Sequence, residues 1–357
     1  MTKTSTSLHI PSHMRGAVLW ETGKPLSVED QIKIPSLKEG QVLVKLSFSG
    51  VCHSQLMEVR GKRGKDNYLP HLLGHEGSGK VVAIGKGVSK VSPGDWVILG
   101  WIKGKGKDVG GAKYQLEDQI INSGPITTFS TYTIASENRI VPLPPQVPKD
   151  LAVLFGCALP TGAGIVLHEI KPKFSTSIAV IGLGGIGLSA LMACSVFECD
   201  PLIAIDVSSD KLELAHKLGA THTIHAGNQD PLMEVYKITH GEGVDFSIEA
   251  AGHTKTIEMG FEMVKRNGGR CVFASHPEAG KKVCLDPFQL ICGKSIQGSW
   301  GGNSDPDVDI PRIAELYVQG GLPLELLLNK TYKLDEINDA LDDLENQRVF
   351  RPLITFE

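Results

Sequence analysis

The sequence carries little excess charge, which argues against one broad class of partner. Its 36 Lys and Arg nearly balance 40 Asp and Glu, so the net charge at pH 7 is −4. Proteins that bind nucleic acid usually concentrate positive charge on one face or along one helix. The short basic stretch at residues 103–107 is interpreted as a solvated loop, with a phosphate-binding patch as the alternative. We therefore expect no nucleic-acid partner.

A paired cysteine framework is also missing. The seven cysteines are odd in number and show no paired spacing, whereas disulfide-stapled secreted domains carry even sets of cysteines. Residues 1–15 contain no apolar segment of the kind found in a secretory signal peptide. Internal repeats and low-complexity tracts are absent as well. These absences predict a protein with reduced cysteines in the cytoplasm.

Long hydrophobic runs are rare, and only residues 175–197 need testing as a membrane span. The stretch has no charged residue and is longer than the roughly 20 residues that cross a bilayer. The four glycines near its start are unfavourable in a continuous helix. A buried strand, a turn and a buried helix explain the stretch better, so no membrane partner is expected.

Length and local pattern predict two domains in an α/β fold. A chain of 357 residues is longer than one hydrophobic core usually supports. Short β-prone runs between Gly, Pro and Asp turns fill the first 150 residues, which favours a sheet or barrel. From Pro160, strand-like runs at 177–181, 202–205, 245–248 and 270–274 alternate with helical stretches at 186–197, 209–218, 231–239 and 254–264.

This alternation is typical of a doubly wound parallel sheet with helices on both faces. The last 50 residues contain two amphipathic helices and an apolar run at 353–356, which could return to the first sheet. We therefore predict a β-rich domain over residues 1–159 and 301–357, and a parallel-sheet domain over residues 160–300.

A glycine-rich turn follows the first predicted strand of the parallel sheet. Glycine at 182 allows a sharp turn, Gly184 lets the backbone approach a pyrophosphate, and Gly187 lets helix and strand pack closely. The phosphates would lie at the helix N-terminus, where free N–H groups and the helix dipole favour anions. A glycine turn that binds nothing is the alternative. The predicted dinucleotide-binding turn consists of Gly182, Gly184, Gly185, Ile186 and Gly187.

Asp206 determines which dinucleotide is expected. It ends the next predicted strand about 20 residues after Gly187, which is the spacing of a ribose-binding carboxylate. A carboxylate there accepts hydrogen bonds from the ribose hydroxyls and repels a 2′-phosphate. Val207 follows it, rather than an arginine that could bind that phosphate. NAD is therefore favoured over NADP.

Cys52, His75 and Cys157 are candidate metal ligands. Two thiolates and an imidazole suit zinc and leave a fourth position for water or substrate. Taken singly, a buried cysteine is more often a small apolar side chain, and His75 could be a hydrogen-bonded core histidine. Their occurrence with a dinucleotide turn gives them more weight, because hydride transfer from an alcohol needs a Lewis acid. Glu76, next to His75, could orient a ligand, bind the metal or form a salt bridge.

Five motifs occur in the order found in the zinc-containing medium-chain alcohol dehydrogenases, and the chain resembles that family from about residue 16 to residue 356. The motifs are Gly50-Val-Cys-His-Ser54, Gly74-His-Glu-Gly-Ser-Gly79, Ser92-Pro-Gly-Asp-Trp-Val97, Gly156-Cys-Ala-Leu-Pro-Thr-Gly162 and Val180-Ile-Gly-Leu-Gly-Gly-Ile-Gly187. The resemblance implies a GroES-like catalytic domain, a Rossmann domain, and hydride transfer between NAD and an alcohol and its aldehyde or ketone.

The resemblance also implies a role for each matching residue. Cys52, His75 and Cys157 match the catalytic zinc ligands, and Glu76 matches the acidic residue behind the metal. Ser54 matches the hydroxyl that hydrogen-bonds the alcohol and starts the proton relay. The implied cofactor contacts are Thr161 at the nicotinamide, Asp206 and Lys211 at the adenosine ribose, Arg351 at the pyrophosphate, and Ala251 and Ser275. A surface cation is the alternative for Arg351.

The chain departs from the family pattern in two places. Many members carry four cysteines for a second, structural zinc, but residues 95–128 contain no cysteine. We therefore predict one zinc per subunit and a rebuilt lobe over about residues 102–124. Met57 stands where many members have a relay histidine, so the terminal proton acceptor is left open between His53 and solvent.

Two other functions are compatible with parts of this pattern. A zinc-free quinone or enone reductase of the same superfamily would keep the glycine turn but would usually lack the ligand set. A non-catalytic NAD-binding relative would have no need of Ser54 beside intact ligands. We expect a homo-oligomer, a dimer or tetramer, acting on a small alcohol or carbonyl compound. Trp101 is predicted to be a substrate-pocket wall, with core packing as the alternative.

Overall fold

The computed structural model describes residues 10–356. Residues 1–9 and Glu357 lie outside the described part, and so does most of the segment on which the signal-peptide prediction depends. None of the helices in residues 10–356 combines the length and apolarity needed to cross a bilayer. The uncharged stretch at residues 175–197 folds as the predicted strand, turn and helix.

The N-terminal part is dominated by strands. Strand β3 is buried along almost its whole length and is the centre of this part. The elements are β1 (His13–Leu19), β2 (Ser27–Lys33), β3 (Gln41–Gly50), α1 (His53–Val59), β4 (His71–Leu72), β5 (Gly77–Ile84), β6 (Trp96–Leu99), β7 (Lys113–Leu116), β8 (Gln119–Asn122), β9 (Tyr132–Ser136) and β10 (Ile140–Pro142).

The middle of the chain forms a six-stranded parallel sheet with the order β13-β12-β11-β14-β15-β16. Its elements follow α2 (Ala158–Gly164) and a π-helical turn (Ile165–Ile170). They are β11 (Ile178–Ile181), α3 (Gly185–Val196), β12 (Leu202–Asp206), α4 (Ser209–Lys217), β13 (His222–His225), α5 (Pro231–Ile238), β14 (Phe246–Glu249), α6 (Thr254–Glu262), β15 (Arg270–Phe273), α7 (Pro287–Ile291) and β16 (Ser295–Gly298). The predicted doubly wound sheet is confirmed.

The chain ends with α8 (Pro306–Val318), β17 (Lys330–Lys333), α9 (Ile337–Glu345) and β18 (Pro352–Thr355). Strand β18 runs parallel to β17 and antiparallel to β3. The predicted C-terminal run therefore joins the N-terminal sheet. This pairing places the residue just before β18, Arg351, close to residues that precede α1 and β5.

The strands outside the parallel sheet form two units. A seven-stranded sheet has the order β10-β6-β5-β3-β18-β17, with β9 also paired to β3. The other unit is a closed barrel, β1-β2-β7-β8-β4. The hairpin β7–β8 comes from residues 102–124, the segment expected to be rebuilt. Closing a barrel removes the exposed strand edges that otherwise invite pairing with other chains.

Three helices start with the same Asp-Pro pair. Asp230, Asp286 and Asp305 each accept a hydrogen bond from the backbone N–H two residues later. Each is followed by a proline in the first helical position, which needs no N–H donor there. Substituting such a cap usually costs about 1 kcal/mol, so local sequence alone defines where α5, α7 and α8 begin.

Candidate metal and dinucleotide site

The three candidate ligands come from three separate elements and meet at one point. Cys52 caps the N-terminus of α1, His75 precedes β5, and Cys157 joins a 3₁₀ segment to α2. Their ligand atoms all lie within 4.8 Å of one another. Nε2 of His75 lies 3.2 Å from Sγ of Cys157. Tetrahedral zinc ligands at ordinary bond lengths of about 2.0–2.3 Å are separated by roughly 3.5 Å, so these atoms are close enough to share one ion.

Glycines beside two of these ligands permit the close packing. Gly74 has φ +89°, and a Cβ there would lie 2.4 Å from Oγ1 of Thr128. A Cβ on Gly156 would lie 2.3 Å from the carbonyl oxygen of Leu99. Neither position has room for a side chain, so tertiary packing requires glycine at both, and at Gly74 the positive φ requires it as well.

The two thiols interact strongly with each other. The pKa of Cys52 lies well below its usual value, first because the Cys157 thiol donates a hydrogen bond to it, and also because Arg351 and His75 lie nearby. The pKa of Cys157 is raised because it is the donor of that bond and because it is buried. A divalent ion bound here would displace the shared proton, since metals bind cysteine as the thiolate.

Glu76 lies behind the thiols and is fully buried. Its Oε1 forms an ion pair with Arg351, which is also buried, while its Oε2 has no hydrogen-bond partner. Burial raises the pKa of Glu76, and the positive charge of Arg351 opposes that rise. The guanidinium also reaches the glycine turn, because a Cβ on Gly185 would lie 3.0 Å from one of its nitrogens. Arg351 is therefore not the surface cation considered as the alternative.

Several buried polar atoms around this point lack a partner in the protein. They include Oγ of Ser54, Oε2 of Glu76 and Oγ1 of Thr161. A buried polar group without a partner costs about 1–3 kcal/mol, so native proteins rarely leave several together. Two sulfurs, one imidazole and unpaired oxygens beside them fit a zinc ion with a hydroxyl-bearing ligand.

The glycine turn has the geometry expected of a dinucleotide site. Gly182 has φ +85°, Gly184 is the N-cap of α3, and a Cβ on Gly187 would lie 1.9 Å from the carbonyl oxygen of Gly182. A Cβ on Gly184 would meet no atom within 4 Å. This open side of the backbone, at the start of an uncharged helix, is where a pyrophosphate can approach. Gly185 and Ile186 form the first turn of α3.

Three other predicted cofactor residues, Asp206, Ala251 and Ser275, lie at or just after the carboxyl ends of neighbouring strands, and Lys211 lies on α4. Oδ2 of Asp206, at the end of β12, accepts the N–H of Leu183 at 2.7 Å and lies 4.0 Å from Nζ of Lys211. Ala251 packs against the turn, because a Cβ on Gly182 would lie 2.5 Å from its nitrogen. Ser275 follows β15 and lies near the backbone of residue 252.

Sequence reasoning missed one side chain at the site and another that contacts the predicted pocket residue Trp101. Gln55, on α1, contacts Nδ1 of His75 and is almost completely buried. Its position three residues after the helix-capping Cys52 is the signal that could have identified it. Trp300 packs edge-on against Trp101, with the ring centroids 5.0 Å apart. Trp300 was not identified because it is 199 residues from Trp101 in the chain, and no local pattern indicates their contact.

A second group of possible ligands, Glu58, Asp66 and His71, comes from the end of α1, the loop after it and β4. Nδ1 of His71 is paired with the carbonyl oxygen of Leu72, and its Nε2 lies 2.8 Å from Asp66. Arg63 neutralises part of the charge of Glu58 at 3.6 Å. Among the described residues none of the atoms of this group is a buried polar atom without a partner, so the polar groups already satisfy one another within the protein.

Comparison with known proteins assigns the class. Residues 38–145 match the family model for the alcohol dehydrogenase GroES-like domain, and residues 185–317 match the model for zinc-binding dehydrogenases. The chain is 31% identical to the S-(hydroxymethyl)glutathione dehydrogenase of Escherichia coli O1:K1 / APEC, over 96% of this chain and 99% of that protein.

Solved structures of alcohol dehydrogenases support the same class. The benzyl alcohol dehydrogenase of Acinetobacter calcoaceticus superposes with a TM-score of 0.87 at 31% identity, over 96% of this chain and 99% of that one. An alcohol dehydrogenase zinc-binding domain protein from Burkholderia ambifaria gives 0.85 at 27% identity, with the same coverage. The chain belongs to the zinc-containing medium-chain alcohol dehydrogenase family. It is a zinc-dependent oxidoreductase that transfers a hydride between NAD and an alcohol and its carbonyl product. These matches favour this function over the zinc-free reductase and the non-catalytic relative.

Proposed function

We propose that Cys52, His75 and Cys157 hold the catalytic zinc and that the alcohol binds between it and the glycine turn. The observation that carries this proposal is the convergence of the three ligand atoms within 4.8 Å, next to the unpaired hydroxyl of Ser54. Bound zinc supplies a Lewis acid that lowers the pKa of the substrate hydroxyl, and NAD supplies the hydride acceptor.

In this proposal Ser54 orients the substrate. It lies in the first turn of α1, two residues after Cys52, and its buried Oγ has no partner among the described residues. A hydroxyl in that position can accept the proton of the alcohol while passing its own proton outward. Glu76 holds Arg351, and its free Oε2 faces the buried interior as a possible further ligand.

His53 is the proposed proton acceptor, with solvent as the alternative. It neighbours Ser54 on α1 and keeps an exposed edge. Packing around the rest of its ring lowers its pKa, and the negative charge at Cys52 acts in the opposite direction. A histidine with a lowered pKa is neutral at pH 7 and can accept a proton. Met57, the residue at the usual relay position, is buried and offers no such group.

The proposed cofactor contacts divide between the two ends of the turn. Asp206 and Lys211 bind the adenosine ribose, and the N-terminus of α3 with Arg351 binds the pyrophosphate. Thr161 lies on α2, four residues after the ligand Cys157, and its buried Oγ1 lacks a partner. This position supports a contact with the nicotinamide. Ala251 and Ser275 complete the set at the ends of β14 and β15.

Zinc analysis of a single variant tests the ligand set. We expect Cys52→Ala to lose zinc and nearly all activity while it still binds NADH, because the glycine turn is unchanged. Cys284→Ala is the matched control, because Cys284 is an exposed free cysteine elsewhere in the chain. Full zinc content and full turnover in Cys52→Ala, measured in metal-free buffer, would refute the assignment. A panel of alcohols read at the NADH absorbance would then narrow the substrate.

We also propose a homo-oligomer. Strand β16 is the edge of the parallel sheet, and four large apolar side chains are exposed near it. They are Phe288, Leu290, Ile291 and Trp300. An exposed apolar cluster beside an unpaired edge usually marks an interface. Light scattering should show a dimer or tetramer that Ile291→Lys weakens. Met233→Lys should not weaken it, because Met233 is on α5, which packs near β13 at the opposite edge of the sheet. A monomeric wild type would contradict the proposal.

A cytoplasmic location remains a proposal. Its support is that all seven cysteines are free thiols, as expected in a reducing compartment. Fractionation of the source cells, with detection by a specific antibody, would test it.

A further inference from the structure

Gln55 contacts two of the three proposed zinc ligands with one amide group. The residue is 3% exposed and occupies the third position of α1. Its Oε1 accepts the backbone N–H of Cys52 at 3.1 Å. The other end of the same amide lies against Nδ1 of His75. The amide therefore bridges the backbone of one ligand and the ring of another.

The number of protons on His75 determines what that amide must do. Nε2 is the nitrogen that faces the sulfurs, since it lies 3.2 Å from Cys157. A neutral imidazole carries one proton, and the nitrogen that binds a metal carries none. With zinc on Nε2, the proton is on Nδ1, and the group beside Nδ1 must accept it. Hydrogen-bond partners of this kind usually orient metal-binding histidines.

Gln55 cannot satisfy both of its neighbours at once. When Nδ1 of His75 carries the proton, the amide faces two donors, this N–H and the backbone N–H of Cys52. An amide has one oxygen to accept and one NH₂ group that only donates. Rotating the amide by 180° exchanges its oxygen and its NH₂ group, so that the oxygen accepts the other N–H and the first N–H loses its acceptor. Because Gln55 is buried, no water can readily take over the unserved donor.

We infer that Gln55 is a positioning residue that sets the tautomer of His75 and limits the zinc affinity of the site, because two donors compete for its single amide oxygen. The inference rests on the proposed zinc ligand set. A carboxylate of the same size has two accepting oxygens and would serve both donors. The substitution Gln55→Glu should therefore strengthen zinc binding and fix the proton of His75 on Nδ1, and the second effect distinguishes this role from that of a simple helix cap.

The measurement is the zinc dissociation constant of the full chain, obtained by competition with a chromophoric chelator at pH 7.5. We expect Gln55→Glu to bind zinc at least about tenfold more tightly than wild type, and Gln55→Leu about 10- to 100-fold more weakly. Glu58→Gln is the matched control, because Glu58 is on the same helix and its charged contacts are with Arg63 and His71. It should stay within about twofold of wild type.

Helix capping alone predicts a different order. Glutamine and glutamate can both accept the N–H of Cys52, so a purely structural role changes zinc affinity only through the added charge and leaves the His75 tautomer unchanged. The inference also requires Gln55→Glu to fix the proton on Nδ1 of His75, which is read from the ring ¹⁵N chemical shifts of the zinc-free protein. Equal or weaker binding by Gln55→Glu would overturn the inference. Cys52→Ala, measured in the same assay, tests the zinc ligand set separately from the role of Gln55. If it keeps wild-type affinity, the ligand set and this inference both fail; if it loses zinc while Gln55→Glu matches wild type, only this inference fails.

Discussion

Glu76 and Arg351 form a buried ion pair that links the proposed metal site to the glycine turn. The carboxylate of Glu76 is fully buried and Arg351 is 5% exposed, although 275 positions separate them in the chain. The guanidinium lies against both Glu76 and Gly185. A charge that touches both sites gives a direct physical route by which cofactor binding and the metal environment can influence each other.

Removing one member of this ion pair should lower the free energy of unfolding substantially. Arg351→Met leaves the Glu76 carboxylate buried without its counter-ion, and such a loss typically costs about 3–5 kcal/mol. We expect that decrease in the free energy of unfolding by urea, measured on zinc-loaded protein without NAD. The double variant Glu76→Gln with Arg351→Met should recover part of it, because no uncompensated charge is left. A double variant as unstable as the sum of both single variants would show that the two residues do not interact.

Asp206 should control the choice of dinucleotide. In Asp206→Asn the side chain keeps an oxygen for the N–H of Leu183 but loses the charge that repels a 2′-phosphate. Hydrogen bonds to a charged group contribute about 1.5–3 kcal/mol. We therefore expect the ratio of kcat/KM for NAD to that for NADP to fall by at least about tenfold. Asp210→Asn, on the adjacent helix α4, is the control and should leave the ratio unchanged.

Tyr114 should make stability sensitive to high pH. It lies on β7 in the rebuilt lobe, its hydroxyl oxygen accepts the N–H of Ile134, and burial raises its pKa to about 12. In the unfolded chain the phenol ionises near its usual pKa of about 10. The stability that depends on the protonated phenol is complete below pH 10 and is lost as the pH rises from 10 towards 12.

The matching measurement is urea unfolding of wild type and Tyr114→Phe at pH 9 and pH 11. The variant cannot ionise, so the stability difference between the two proteins should shrink by about 1.4 kcal/mol over that interval. At pH 9 the variant should be less stable, because Ile134 loses its hydrogen-bond acceptor. A constant difference at both pH values would contradict the assigned pKa.

Glu137 should hold the rebuilt lobe in place. Its two carboxylate oxygens accept backbone N–H groups of Ser89, Lys90 and Lys107. Burial would raise the pKa of Glu137, but these three bonds together lower it. We expect Glu137→Gln to lower the free energy of unfolding by about 2 kcal/mol and to speed proteolysis at residues 103–111. Glu117→Gln, at the exposed tip of the β7–β8 hairpin, is the control, and the protease should cleave it at the wild-type rate.

Much of the fold was predictable because its signals are local. The apolar strand before Gly182 and the uncharged helix after it are contiguous in the chain, and the parallel sheet built on them is confirmed. Strands β13 and β16 were not predicted, because their exposed, polar edge positions give no run of apolar residues. The hairpin β7–β8 was expected only as a rebuilt segment, since four-residue strands carry little periodicity.

The candidate site divides in the same way. The chemical groups at the site could be read from the residues alone: the thiols of Cys52 and Cys157, the imidazole of His75, and a turn whose glycines meet local steric demands. Tertiary structure alone decided that the three ligand atoms converge, that Arg351 reaches Glu76, and that Gln55 lies against His75. Backbone conformation depends on neighbouring residues, whereas these contacts require β18 to pair with β3 and α1 to bring Gln55 to the segment before β5. No local pattern encodes either arrangement.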